Sequence, residues 1–220
     1  MKRFSLRYTL LTARLDQLWF PFSLWAVFLI IGIIRGPDYL LDTARAYLGA
    51  VVPLVGGILA AYAVLDDPAL ELRFATPVPA AQTLAERLVP LFLIQSFCAL
   101  TFQAFALVQG ADLSTLFRNW INVQWIWLIP TLPLMALGCL SAFIARQAAA
   151  GALFAGLVWI VELVARGWFA ANAGRYVLIF MAPFIPEHPD LLANRIVLIA
   201  LAGGSLGLAW ALLRRTERYI

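Results

Sequence analysis

The chain has 220 residues, of which 63% are hydrophobic and only 13% charged, whereas soluble domains run at roughly 45–50% and 25%; this is the composition of a membrane protein. The formal net charge of +4 is not a nucleic-acid signal, because arginines at the ends of apolar segments serve as topology determinants and lipid-headgroup partners. A single lysine, Lys2, and a single histidine, His188, exclude a Gly-Lys-Ser/Thr phosphate loop and any site that needs two histidines.

Residues 1–17 are basic and amphipathic. Phe4, Tyr8, Leu11 and Leu15 recur at helical spacing among Lys2, Arg3, Arg7 and Arg14, which predicts a helix lying in the membrane interface. A secretory signal is the rival, but the apolar run starts late and no small-residue cleavage site follows it. Six apolar segments come next, at 18–34, 47–65, 88–109, 120–145, 148–165 and 196–213, each near the roughly 17–25 residues that span a bilayer. Pro53 and Gly56-Gly57 interrupt the second and Pro130 and Pro133 the fourth; such residues kink or loosen spanning helices. Cys98 and Cys139 fall inside apolar runs and read as inert filler, with no disulfide framework and no metal spacing. The expected fold is an all-α membrane protein in one domain.

Sidedness follows from the basic residues. With both termini in the cytoplasm, Lys2, Arg3, Arg7, Arg14, Arg73, Arg87, Arg146, Arg214, Arg215 and Arg218 lie inside. Arg35, Arg45, Arg118, Arg166, Arg175 and Arg195 then lie outside, a moderate bias in the expected direction. In this orientation the turn at Arg146 is tight, and 66–87 is the main cytoplasmic loop. The outer connection 166–195 carries an apolar piece at 176–186 that is too short to span. It is expected to be re-entrant or interfacial, and buried against protein.

The loop 66–87 holds a third of the 12 acidic residues and has helix punctuation of its own. Asp67 is a suitable N-cap and Pro68 is pre-set for a first turn. Thr76, before Pro77, is pushed out of the helical region. A helix of about eight residues is marginal alone in water, so it needs a surface to lie against.

Leu70, Glu71, Leu72, Pro77 and Val78 form Leu-Glu-Leu-x-x-x-x-Pro-Val, with Arg87 ahead of the third apolar segment. The last segment opens with Asn194-Arg195 and runs out through Leu-Leu-Arg-Arg-Thr-Glu-Arg at 212–218. In this order, and with an amphipathic start and an elaborated outer loop before the sixth segment, the chain resembles the membrane subunits of type-2 ATP-binding-cassette (ABC) exporters over essentially its whole length. It departs from that pattern where family members often carry Glu-Gly or Asp-Gly: here Asp67-Pro68-Ala69 stands instead. The resemblance implies six spans and a cytoplasmic coupling helix that docks in a groove of a separate ATPase subunit. Asp67 and Pro68 would start that helix; Leu70, Leu72 and Phe74 would be its apolar contacts, and Glu71 and Arg73 its polar ones. ATP and Mg would sit on the partner subunit, the chain itself being non-catalytic. Two permease subunits, alike or related, would enclose a pathway in the inner membrane.

Other constellations carry weaker chemistry. Glu162, in the fifth segment, is an intramembrane carboxyl and a pathway candidate; it also stands four residues before Arg166, the spacing of an intrahelical ion pair, which is the favoured reading. Gln95, Gln103, Asn122 and Gln124 either face a subunit interface or hydrogen-bond between helices. Glu162 with His188 gives a faint likeness to CAAX-type intramembrane proteases, but the paired glutamate and the second histidine that family needs are missing. Gly203-Gly204-Ser205-Leu206-Gly207 fits G-x-S-x-G, yet no strand precedes it, and small residues for close helix packing is the better reading. A non-catalytic membrane scaffold is the remaining alternative.

Overall fold

A computed structural model describes residues 15–66 and 79–214. The described residues are predominantly helical, with no strand among them. In chain order they form α1 (Leu15–Arg35), α2 (Pro37–Ala46), a π-helical turn (Tyr47–Val51), α3 (Val52–Leu65), α4 (Ala80–Val108), α5 (Leu113–Phe117) and α6 (Trp120–Ala145). Then follow α7 (Ala148–Val164), α8 (Arg166–Ala171), a 3-10 turn (Ala173–Tyr176), α9 (Met181–Phe184) and α10 (Leu191–Leu213). Four stretches are long and apolar enough to cross a membrane: Pro37–Leu65, Ala80–Val108, Trp120–Ala145 and Leu191–Leu213. Trp19–Arg35 and Ala148–Val164 are apolar but shorter. The 17 residues of α7 rise roughly 25 Å, a little less than the ~30 Å hydrocarbon core.

Pro37–Leu65 and α6 are the centre of the bundle. In their most apolar stretches 72% and 67% is buried, against 39% for α4 and 22% for α10. Their contact is made by glycine. A Cβ on Gly138 would run into the Gly57 carbonyl oxygen. One on Gly56 would press on Thr131 Cγ2 at 3.0 Å and Met135 Cγ at 3.1 Å. Such backbone-to-backbone approach is how helices gain dispersion contacts where no hydrophobic effect drives them together. α7 folds back on α6 at Arg146, which adopts a left-handed conformation (φ 57°), and Gly151 lies against Ala142.

The π-helical turn has an identifiable cause. Pro53 has no N–H to give to the carbonyl four residues back and its ring crowds that carbonyl. The helix widens by one residue instead, so that the Val52 N–H reaches Tyr47 O.

Three apolar clusters fill the interior. One gathers Leu40, Tyr47, Phe102, Leu113, Phe117 and Ile126 at the α5 end. A second gathers Val55, Leu59, Leu84, Met135, Phe143 and Leu213 at the opposite end. The third forms around residues 178–181. Leu178, Ile179, Phe180 and Met181 are each under 5% exposed, so the short apolar piece of the 166–195 connection is inserted into the protein.

Several expected boundaries shift. The third apolar segment begins as helix at Ala80, with the Gln82 and Thr83 N–H groups bonded to Pro79 O at 2.9 and 3.1 Å. Thr83, Glu86 and Arg87 are buried there, so the last part of 66–87 is helix, not loop; polarity hid it from a hydropathy reading. Likewise α10 starts at Leu191 and the second apolar helix at Pro37. Residues 67–78 lie outside the described residues, and with them Asp67, Pro68, Leu70, Glu71, Leu72, Arg73, Phe74 and Pro77, as do residues 1–14 of the expected interfacial helix 1–17, whose last three residues belong to α1.

Candidate functional site

Two buried polar side chains, Glu162 and Asn194, converge on the inserted segment 177–184 and its approach. Glu162, 6% exposed, uses Oε2 to accept the Ile179 N–H at 2.7 Å. Asn194, 1% exposed, donates through Nδ2 to Arg175 O at 2.8 Å and Leu178 O at 2.9 Å. Each side chain satisfies main-chain groups of an irregular segment, and such groups are expensive to leave bare inside apolar surroundings. From α7, the Trp159 indole donates to Ala50 O in the π-helical turn at 2.9 Å and packs edge-on against Phe180, ring centroids 5.8 Å apart. Gly49, also in that turn, admits the Pro183 ring, whose Cγ would lie 2.8 Å from a Cβ there. An Arg175–Asp190 ion pair of 2.9 Å closes the segment outside the helices.

This arrangement corrects the ion-pair reading of Glu162. Among the described residues no ion pair joins Glu162 to Arg166. Arg166 lies instead over the Phe184 ring at 4.8 Å. Four-residue spacing allows the pair only along continuous helix, and α7 ends at Val164, before Arg166. His188 is not part of the Glu162 surroundings either. Its Nδ1 accepts the Asp190 N–H at 3.1 Å.

The glutamines separate into two cases. Gln103 on α4 and Gln124 on α6 form a reciprocal amide pair, with Gln124 Nε2 donating to Gln103 Oε1 at 2.7 Å, and Trp127 donates to Gln124 Oε1 at 3.0 Å. They clasp two helices. Gln95 is 2% exposed and its Nε2 has no partner among the described residues. Asn122 accepts from Arg195 at 3.3 Å, which ties α6 to α10. The glycines of α10 do not pack as expected within this chain: added Cβ atoms at Gly203, Gly204 and Gly207 would meet nothing within 4 Å.

A cleft of about 130 Å³ opens beside the inserted segment between α6, α7 and α10. Its walls include Pro133, Leu137, Leu198 and Leu201, and its polar groups are Glu162 and Ser205. Among the described residues no group of three or more His, Cys, Asp or Glu side chains is placed to hold a metal ion.

The clamp at Asn194 is directly testable. Asn194→Leu removes the side-chain donor from the Arg175 and Leu178 carbonyls, a loss of about 1–3 kcal/mol. Hydrogen exchange at amides 177–184 should quicken while that of α6 is unchanged; unaltered exchange in the inserted segment contradicts the clamp.

No protein family, curated protein or solved structure matches the chain.

Proposed function

We propose that the chain is the membrane-spanning permease subunit of an ABC exporter, working as a dimer on separate cytoplasmic ATPase subunits. The observation that carries this reading is the order of parts. Two apolar helices precede the Leu70-Glu71-Leu72 stretch and four follow it. The connection between the last two of those returns into the protein at 178–181. The six spans then comprise the four long helices and the shorter α1 and α7, whose modest length a locally thinned bilayer accommodates. Both termini lie in the cytoplasm and the inserted segment lies on the outer side of the inner membrane.

The mechanism assigned to this subunit is transmission. ATP-driven closure of the ATPase dimer favours one of two permease states by differential binding. The stretch 67–76 would receive the push through Leu70, Leu72 and Phe74, and the glycine contact of Gly57 and Gly138 carries it into α6. ATP and Mg act on the partner subunit only. The open glycine face of α10 suits either a second permease subunit or lipid.

Cross-linking tests the docking. With Cys98 and Cys139 replaced by alanine, Leu72→Cys is expected to form a thiol cross-link to a cytoplasmic subunit bearing a P-loop, in a yield that changes when ATP is added. Cross-links to no ATPase in either condition overturn the assignment. The alternative of an intramembrane hydrolase requires Glu162 and His188 to act together; Glu162 is instead bound to the Ile179 N–H, and no specific observation favours that chemistry.

A further inference from the structure

The Glu162 carboxyl is only half used. Oε2 holds the Ile179 N–H, while Oε1 has no hydrogen bond among the described residues although the side chain is 6% exposed. Ser205 on α10 shares the same cleft, and its hydroxyl makes no hydrogen bond among the described residues either. The remaining walls, among them Pro133, Leu137, Leu198 and Leu201, are apolar, and no arginine among the described residues lines the cleft. The nearest in sequence, Arg166, is turned onto Phe184. The cleft is open at its rim, where Leu201 is 44% exposed. Its volume of about 130 Å³ is well above the roughly 10–15 Å³ that one water needs.

A carboxyl in an apolar wall either stays protonated or needs a countercharge, and no side chain among the described residues supplies one at this cleft. We propose that this cleft binds the head of a single-chain amphiphilic amine that enters from the lipid side. The primary ammonium donates to Glu162 Oε1 and Ser205 Oγ, and its first carbons lie along Pro133, Leu137, Leu198 and Leu201. The rest of its chain stays in the bilayer. An alcohol of the same length fits the walls but brings no charge, and a quaternary ammonium brings charge but no N–H to donate. The site belongs to one chain and stands independently of the exporter reading.

The test uses the full chain in lipid nanodiscs with photoactivatable dodecylamine, the matched dodecanol as reference, and mass-spectrometric location of the adducts. Amine adducts are expected at Leu137, Leu198 and Leu201. Glu162→Gln keeps an acceptor for the Ile179 N–H and removes the charge. It should cut amine labelling about tenfold or more, the factor expected for one charge-assisted hydrogen bond, and leave dodecanol labelling unchanged. Leu201→Trp acts from the rim without touching the Glu162 hydrogen bond; it fills the cleft and should reduce both labels. Dodecanol labelling these positions as strongly as the amine in the wild type, or amine labelling unchanged in either variant, overturns the proposal.

Discussion

Gly138→Leu is expected to destabilise the fold severely. The substituted side chain has to occupy the volume of the Gly57 carbonyl, which belongs to the backbone of the most buried helix and cannot rotate away as a side chain can. Overpacking a core costs about 1–3 kcal/mol when side chains can adjust; here the helices themselves must separate, so the loss exceeds ~3 kcal/mol. For a protein of this size that corresponds to a fall in melting midpoint of about 10 °C or to failure to accumulate at all. Gly204→Leu is the matched control. It places the same side chain on a helical glycine with open space around it and should melt within a few degrees of wild type. Thermal unfolding of both purified variants decides the matter, and equal midpoints contradict the glycine-mediated crossing of α3 and α6.

The second large effect falls on the docking stretch. Leu72→Asp puts a charge where the exporter reading has a buried apolar anchor. Losing an interface anchor of this kind costs about 2 kcal/mol or more, roughly thirtyfold in affinity. The variant should stay in the membrane in normal amount and lose its ATPase partner on purification. Gln109→Ala, at the far end of α4, should retain it. If Leu72→Asp retains the ATPase as wild type does, the stretch is a solvated loop.

How much of this was legible in the sequence differs from element to element. Hydropathy located α6, and placed α7 within a residue, because both are predominantly apolar from end to end, with Asn122, Gln124 and Glu162 as isolated polar interruptions. It started α4 late because Thr83, Glu86 and Arg87 are polar yet buried, which no residue-by-residue scale registers. The burial of 178–183 was readable, since an apolar run too short to span has to find protein. The means of burying it was not. Glu162 and Ile179 are 17 residues apart, and Trp159 reaches Ala50 across 109. Such pairings exist only once helices have packed. Arg166, four residues from Glu162, offered a local partner that the end of α7 at Val164 removed. Asn194 was noticed as the opening of the last helix, but its two bonds to the Arg175 and Leu178 carbonyls depend on where the inserted segment comes to rest. Gly56-Gly57 was visible as a pair, whereas Gly138, whose Cβ would strike the Gly57 carbonyl, gave no sign of its own, being one small residue in a long apolar run.

The central claim is that this chain is the membrane part of an ATP-driven machine whose motor is another protein. It is tested most directly by purifying the full chain from its native membranes and assaying the preparation for ATP hydrolysis. The account predicts a P-loop ATPase in stoichiometric amount, with Mg-dependent ATP hydrolysis that disappears when that subunit is stripped away. A chain that purifies without any ATPase, from membranes in which every P-loop subunit is recovered with other partners, contradicts it.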